Sequence, residues 1–126
     1  MYKNLTITAV LGAIAVILGA FGAHALKAKL TPEALESFQT AVRYQFIHVL
    51  LLLFVNMFSE LTIKEKNRIS YFLITGILMF SGSIYLIYLV QVPVKSIWFL
   101  TPLGGVLLIV GWSLLVYSFL KRIVKN

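Results

Sequence analysis

The chain has 126 residues, of which 60% are hydrophobic and 12% are charged. Soluble domains are usually about half apolar and about a quarter charged, so this composition excludes an ordinary soluble globular protein and indicates folding in lipid. At roughly 20 residues per membrane-spanning helix, the length accommodates four spans joined by short loops. We therefore predict an all-α fold, a single four-helix transmembrane bundle over residues 1–126.

The absence of cysteine and the net charge further limit which kinds of site and partner the protein can have. The chain has no cysteine, which excludes disulfides, thiolate metal sites and iron–sulfur clusters. Its net charge of +7 comes from eleven Lys and Arg against four acidic residues. In a membrane protein such an excess is typical of loops facing the cytoplasm and of contact with anionic lipids. Because the charges are scattered between the spans, we expect no nucleic-acid partner.

The first predicted span covers about residues 5–26 and ends before Lys27 and Lys29. A cleaved secretory signal is the competing interpretation, because Lys3 gives a basic start and Ala23-His24-Ala25 has the small-x-small pattern of a cleavage site. The apolar stretch is longer than a typical signal core. We therefore predict an uncleaved first helix.

The second helix is predicted to begin at Thr31-Pro32, where the hydroxyl caps the helix and proline occupies its first position. Its opening segment, about 32–42, is amphipathic, and the span follows over about 40–60. A continuous helix of this length would measure roughly 43 Å, more than the ~30 Å hydrocarbon core. The first turns should therefore lie at the membrane surface or protrude.

The third helix is predicted to begin at a capping box, formed by Thr62 and Glu65. Its span covers about 69–91 and ends before Pro93, which disfavours helix at the residue before it.

The fourth span is predicted over about 97–120, where Lys121 and the basic residues after it stop it. Two interpretations of its start remain open. Thr101-Pro102 could cap the helix, or Pro102 could kink a helix that begins near Ser96.

The distribution of Lys and Arg predicts the orientation in the membrane. The amino end, the second loop and the carboxyl tail carry seven of them, and the opposite side carries Lys27, Lys29, Arg43 and Lys95. Since basic residues accumulate on the cytoplasmic side, we expect both termini in the cytoplasm and the loops after the first and third spans outside.

Small residues recur at helical spacing and predict how the helices pack. Association in lipid depends on close approach and interhelical hydrogen bonds, both of which small residues favour. The predicted packing positions are Gly12 and Gly19 on the first helix, Gly76 and Ser83 on the third, and Gly104 and Gly111 on the fourth. A tight four-helix bundle is the favoured interpretation, and a glycine-lined pore or ligand cleft is the alternative.

Polar residues at membrane depth are costly, so they mark the candidate site. The second helix presents Gln45, His48 and Asn56 along one stripe, with Arg43 and Tyr44 just above it. The first helix adds His24 near its outer end. We predict that His24, Arg43 and His48 converge at the outer mouth of the bundle.

Three interpretations of this polar cluster are open. The first is a hydrogen-bonded clamp that ties the first loop to the bundle. The second is a site for an anion or lipid headgroup, with Arg43 as the fixed charge. The third is haem ligation by His24 and His48, although nothing else indicates a haem pocket and we expect no cofactor and no metal.

Catalytic chemistry is poorly represented. All four acidic residues are predicted at helix ends or in loops, so no intramembrane carboxylate pair is available, and neither HExxH nor a phosphate-binding loop occurs. No catalytic residue is predicted. Four aromatic residues near the outer ends, Tyr85, Tyr88, Trp98 and Phe99, are predicted to form an interfacial belt.

Several segments carry a family resemblance. They are Gly19-Ala20-Phe21-Gly22-Ala23-His24, Arg43-Tyr44-Gln45 with His48, Phe80-Ser81-Gly82-Ser83-Ile84-Tyr85, and Thr101-Pro102-Leu103-Gly104-Gly105 with Gly111-Trp112. In order and spacing the chain resembles the domain-of-unknown-function 423 family of small bacterial membrane proteins, to which eukaryotic transmembrane protein 256 is related. The resemblance implies a multi-pass plasma-membrane protein and implies no activity.

Two main function classes follow. The leading hypothesis is a non-enzymatic scaffold, partner-binding or lipid-binding bundle, whose partners are membrane lipids, a second copy of the chain or another membrane protein. The alternative is a small oligomeric transporter or channel, because one bundle of four short helices encloses little pore. A bis-histidine haem protein is the minor alternative.

Overall fold

The computed structural model describes residues 2–126, apart from the side chain of Ala23. Its helices are α1 (Tyr2–His24), α2 (Pro32–Met57), α3 (Ile63–Leu89), the single-turn α4 (Val94–Ile97) and α5 (Leu100–Lys125). Four helical segments are long and apolar enough to cross a membrane: α1, α2, α3, and α4 together with α5. The structure therefore confirms the predicted all-α class with four candidate spans.

Local sequence sets the starts of two helices as predicted. The Thr31 hydroxyl accepts a hydrogen bond from the Ala34 amide, 3.2 Å away, and Pro32 occupies the first helical position of α2. At α3, the Thr62 hydroxyl accepts from the Glu65 amide while the Glu65 carboxylate accepts from the Thr62 amide. These contacts satisfy backbone donors that a helix start leaves free, and they confirm the capping box.

The start of the fourth span differs from both interpretations of the sequence. The chain makes the short α4 first, and α5 then begins at Leu100 with Phe99, not Thr101, in the N-cap position. Pro102 therefore lies in the first turn of α5, where its missing N–H and fixed φ cost nothing, so it does not interrupt the helix.

The helices pack mainly as sequence neighbours, α1 against α2, α2 against α3, and α3 against α5, while α1 meets α3 over a short length. The amino ends of α1 and α3 lie beside the carboxyl ends of α2 and α5, joined by contacts such as Asn4–Asn56 and Glu65–Arg122. We name this end the terminal side. The opposite end, which carries His24 and the connection from α3 to α5, is the loop side.

The core runs along the centre of this arrangement. Leu52, Val55, Ile69 and Leu73 are fully or almost fully buried there. Large apolar residues remain exposed on the outward faces of all four long helices, as with Val16 on α1 and Ile109 on α5. Helices whose outer faces are as apolar as their cores are suited to lipid.

The contact between α3 and α5, which we call the α3–α5 seam, places glycine against the opposite helix. A Cβ at Gly104 would overlap backbone atoms of Met79 and Phe80, lying 2.8 Å from the Phe80 Cα. A Cβ at Gly76 or Gly111 would come within 2.7 or 2.5 Å of a leucine side chain, Leu108 and Leu73 respectively. Near the loop side of the same seam, the hydroxyls of Ser83 and Thr101 are hydrogen-bonded.

The contact between α1 and α2, the α1–α2 seam, is looser at most of its glycines. A Cβ at Gly12 would lie 3.3 Å from the Val49 side chain, and one at Gly19 would lie 3.4 Å from that of Val42. Glycine lets α2 come close at these positions, but the neighbouring atoms belong to valine side chains and not to the backbone.

Candidate functional site

Gln45 links three helices within the bundle interior. Its side chain is 1% exposed. Its Nε2 donates to the Leu11 carbonyl of α1 at 2.7 Å, and its Oε1 accepts from the Tyr85 hydroxyl of α3 at 2.6 Å. One amide on α2 therefore ties three helices together, which is the role that interhelical hydrogen bonds serve in membrane bundles.

A second link joins α2 to α3 one turn away. The Ser81 hydroxyl, which is buried, donates to the Ala41 carbonyl at 2.7 Å. Nearby, the rings of Phe38 and Tyr85 pack with their centroids 5.4 Å apart. Together with Gln45, these contacts fix the rotation of α3 against α2 on the loop-side half of the bundle.

His48 connects α2 to α5. Its Nδ1 lies 2.6 Å from the Tyr44 carbonyl, and its Nε2 lies 3.1 Å from the indole Nε1 of Trp112. A carbonyl only accepts and an indole N–H only donates, so His48 carries its proton on Nδ1 and is neutral. Both ring nitrogens are engaged, and neither is free to ligate an iron in this arrangement.

A cluster of amides closes the terminal side. Asn56 donates through Nδ2 to the Leu52 carbonyl and to the Ser70 hydroxyl, and its Oδ1 accepts from Asn4 of α1 at 3.0 Å. The same Asn4 amide donates to Asn67 of α3 at 2.9 Å. Three helices are again joined through short side chains.

An ion cluster lies at the terminal end of the α3–α5 seam. Arg122 donates to both carboxylate oxygens of Glu65, at 2.9 and 3.1 Å, and Lys121 adds a contact of 3.2 Å. Arg122 also donates to the carbonyls of Ser118 and Glu60. The cluster connects the last turn of α5 with the first turn of α3 and so holds the two helix ends together.

The residues predicted to converge at the outer mouth of the bundle make separate contacts in the structure. No hydrogen bond joins His24, Arg43 and His48 within residues 2–126. His24 is exposed, and the exposed Arg43 donates to the Thr40 hydroxyl at 3.0 Å, one turn earlier on its own helix. His48 instead contacts Trp112 of α5, while Val42 and Val49 of α2 pack on α1. A ligand-binding role for this group remains a prediction.

Tyr44 and Asn56, the remaining predicted polar residues, also lie apart from each other. Tyr44 is half exposed, and its ring stacks on that of Phe80 with centroids 4.7 Å apart. Asn56 belongs to the terminal side, three turns further along α2. The stripe predicted on α2 thus supplies three separate contacts, to α1 and α3 at Gln45, to α5 at His48 and to the terminal amides at Asn56.

Sequence reasoning missed most partners of these residues. Tyr85 was predicted in an interfacial belt, yet its hydroxyl turns inward to Gln45. Trp112, Asn4 and Ser70 were not predicted as hydrogen-bond partners at all. One signal was present: a buried amide or imidazole in lipid requires a donor or acceptor on a neighbouring helix, and these residues are among the few that can supply one.

The buried polar side chains are hydrogen-bonded. In the described part of the chain, no buried side-chain nitrogen or oxygen lacks a hydrogen-bond partner. The same residues contain no group of three or more His, Cys, Asp or Glu placed to hold a metal ion. Gln45, His48 and Asn56 each form a hydrogen bond to a neighbouring helix.

Comparison of the sequence with known proteins identifies a family. A family profile described as "Protein of unknown function (DUF423)" matches residues 18–105. A UPF0382 membrane protein of Staphylococcus aureus (strain bovine RF122 / ET3-1) is 39% identical over 116 residues, covering 89% of this chain and 93% of the relative. No solved structure matches the chain.

Similar proteins also occur in two other bacteria. A UPF0382 membrane protein of Bacillus subtilis (strain 168) is 36% identical over 118 residues, covering 89% of this chain and 94% of its own length. One of Haemophilus influenzae (strain ATCC 51907 / DSM 11121 / KW20 / Rd) is 38% identical over 120 residues, with 94% of each chain covered. Both relatives, like the first, are named membrane proteins. These matches confirm the resemblance seen in the sequence, and the chain belongs to the DUF423 family of multi-pass membrane proteins.

Proposed function

We propose that the chain is a non-enzymatic membrane bundle that works by binding, with a membrane lipid or another membrane protein as its ligand. One observation carries the proposal. The polar side chains in the interior, Gln45 and Asn56 above all, are used up in contacts between helices. Such an interior makes a rigid scaffold, and recognition falls to the outer faces and the membrane edges.

A transporter or channel receives less support. Gln45, His48 and Asn56 are the residues that would line a polar passage, but each is hydrogen-bonded to a neighbouring helix. Moving a solute past them would break several of these hydrogen bonds in lipid, where replacement partners are scarce. Transport would require an oligomer with its path between copies.

The proposed location is the bacterial plasma membrane with the terminal side in the cytoplasm. The seven basic residues of that side against four on the other support this orientation. Because the chain has no cysteine, Glu33→Cys and Lys64→Cys provide two single labelling sites, one for each side. A membrane-impermeant maleimide should label only the cysteine at position 33 on intact cells, and the reverse pattern would invert the topology.

Photo-crosslinking in native membranes tests the binding function. A benzophenone amino acid is placed at exposed positions of two different faces, Val10 and Ile17 on α1, and Ile109 and Val116 on α5. A specific ligand should give the same adduct from both positions of one face and from neither position of the other. Purified protein in liposomes provides the second measurement, since binding predicts no solute flux. Flux that Gln45→Leu abolishes, without a face-specific adduct, would overturn the proposal in favour of transport.

A further inference from the structure

A groove of about 410 Å³ lies on the terminal side between α1 and α3, which contact each other over a short length. Lys3, Asn4, Asn67 and Tyr71 line its polar part. Ile7, Ile74 and Thr75 line the rest, and the Thr75 hydroxyl donates to the Tyr71 carbonyl at 2.7 Å. Ile7 lies roughly 6 Å along α1 from Lys3, and Ile74 lies roughly 10 Å along α3 from Asn67, at 1.5 Å per residue. The groove is thus polar at the membrane edge and mainly apolar toward the bilayer interior.

The polar end of the groove offers donors and a positive charge. Asn67 uses its Oδ1 to accept from Asn4, which leaves its Nδ2 hydrogens available. Tyr71 is 66% exposed, and neither its hydroxyl nor the Lys3 ammonium makes a hydrogen bond to another described residue. None of the residues lining the groove carries a carboxylate. This donor set is complementary to an anion such as a phosphate.

The backbone adds to the positive electrostatic potential at the polar end of the groove. α1 begins at Tyr2 and α3 begins at Ile63, so both helices that form the groove direct their amino ends to the terminal side. The partial positive charge of a helix amino end favours an anion near its first turn. A phosphate at the mouth of the groove would therefore meet Lys3 and the first turn of α1.

From this combination of charge, free donors and apolar depth, we propose that the α1–α3 groove binds an anionic phospholipid. The phosphate contacts Lys3, Asn67 and Tyr71, and the start of an acyl chain packs on Ile7 and Ile74. The inference rests on the proposed binding function and names a lipid as its ligand. A free phosphate would satisfy the donors but would leave the apolar half of the groove without a counterpart.

Native mass spectrometry of the detergent-solubilised full chain tests the site, with phosphatidylglycerol and phosphatidylcholine added separately. The first variant, Lys3→Ala, removes the charge. The second, Asn67→Asp, keeps the oxygen that accepts from Asn4 and replaces the free donor with a negatively charged oxygen. Lys64→Ala and Asn126→Asp are the matched controls, because they change the charge of the terminal side equally but do not line the groove.

The expected result is one retained phosphatidylglycerol per protein, held more strongly than phosphatidylcholine. Each groove variant should weaken its retention about fivefold, the factor expected for one basic residue at an anionic surface, and each control should change it less than twofold. Equal retention of both lipids, or equal losses in variants and controls, would overturn the site. Displacement of phosphatidylglycerol by millimolar inorganic phosphate would also overturn it, in favour of a phosphate site.

The outcomes separate this inference from the proposed function. A face-specific crosslink that persists in Lys3→Ala and Asn67→Asp, together with unchanged lipid retention, would refute lipid binding in the groove. The proposed binding function would still be supported. The thermal midpoint of unfolding in detergent shows whether each variant still folds. Lys3 makes no hydrogen bond to another described residue, so Lys3→Ala should fold normally and test the site even if Asn67→Asp does not fold.

Discussion

The α3–α5 seam and the α1–α2 seam carry the same small residues at similar spacing, yet they are held together differently. At Gly104 the backbone of α5 lies directly against the backbone of α3, so no side-chain movement could admit a Cβ. At Gly12 and Gly19 the nearest atoms are valine methyl groups at 3.3 and 3.4 Å. The spacing of small residues predicts a seam, but the residue opposite decides how much a glycine contributes.

The two seams also differ in their polar contacts. The α1–α2 seam has a hydrogen bond at its middle, from Gln45 to the Leu11 carbonyl. The α3–α5 seam has its polar contacts near its ends, the Ser83 and Thr101 hydroxyls toward the loop side and Glu65 with Arg122 at the terminal side. A seam that packs backbone on backbone leaves no room for a long polar side chain in its middle, whereas the looser seam holds an amide there.

Gly104→Ala should produce the largest loss of stability. The added methyl would overlap the backbone of Met79 and Phe80, so the two helices would have to separate. We expect the free energy of unfolding to fall by about 3 kcal/mol, the upper range for overpacking a tight core. Unfolding by SDS titration in mixed micelles measures it.

Gly82→Ala is the matched control, because a Cβ at Gly82 would meet no atom within 4 Å. Alanine is favoured over glycine in a helix by up to about 1 kcal/mol, so this variant should be unchanged or more stable. If Gly104→Ala and Gly82→Ala had equal stability, the close backbone approach of α3 and α5 would be refuted.

Gln45→Leu should produce the next largest loss of stability, because it weakens the α1–α2 seam and the link from α2 to α3. It leaves the Tyr85 hydroxyl without its acceptor and the Leu11 carbonyl without its donor. We expect a loss of about 1 kcal/mol, as for other interhelical hydrogen bonds in membranes. The same SDS titration applied to Tyr85→Phe and to the double variant gives the coupling between the two side chains. Strictly additive losses would show that the pair does not interact.

Local chemistry accounts for the parts of the fold that the sequence predicted. Thr31 and Thr62 cap the helices that follow them because a cap requires only residues three positions apart. The four spans follow from length and apolarity alone. The effect of Pro102 was ambiguous because it depends on where α5 starts, and α5 starts two residues before the proline, after the single turn of α4.

The partners of the polar residues were not predictable in the same way. His48 was expected to meet His24 and instead bonds Trp112, 64 positions further along the chain. Which residue faces His48 depends on the rotation of α5 about its axis and on its place beside α2. Both result from many weak contacts along two helices, so one sequence shows that a partner is needed without identifying it.

Gly12→Ala should have the smallest effect, and it tests the comparison from the opposite direction. A Cβ there would lie 3.3 Å from a methyl of Val49, a contact that a shift of a few tenths of an ångström relieves. The cost of that shift opposes the helix preference for alanine, so we expect a change within about 0.5 kcal/mol of zero. Val49→Ala removes the side chain that the added methyl would contact. In the Val49→Ala background, Gly12→Ala should therefore cost no more stability than it does in the native background. SDS titration of Gly12→Ala in each background measures the difference. A loss at Gly12 as large as that at Gly104 would mean that both seams depend on the same backbone contact, and the distinction between them would disappear.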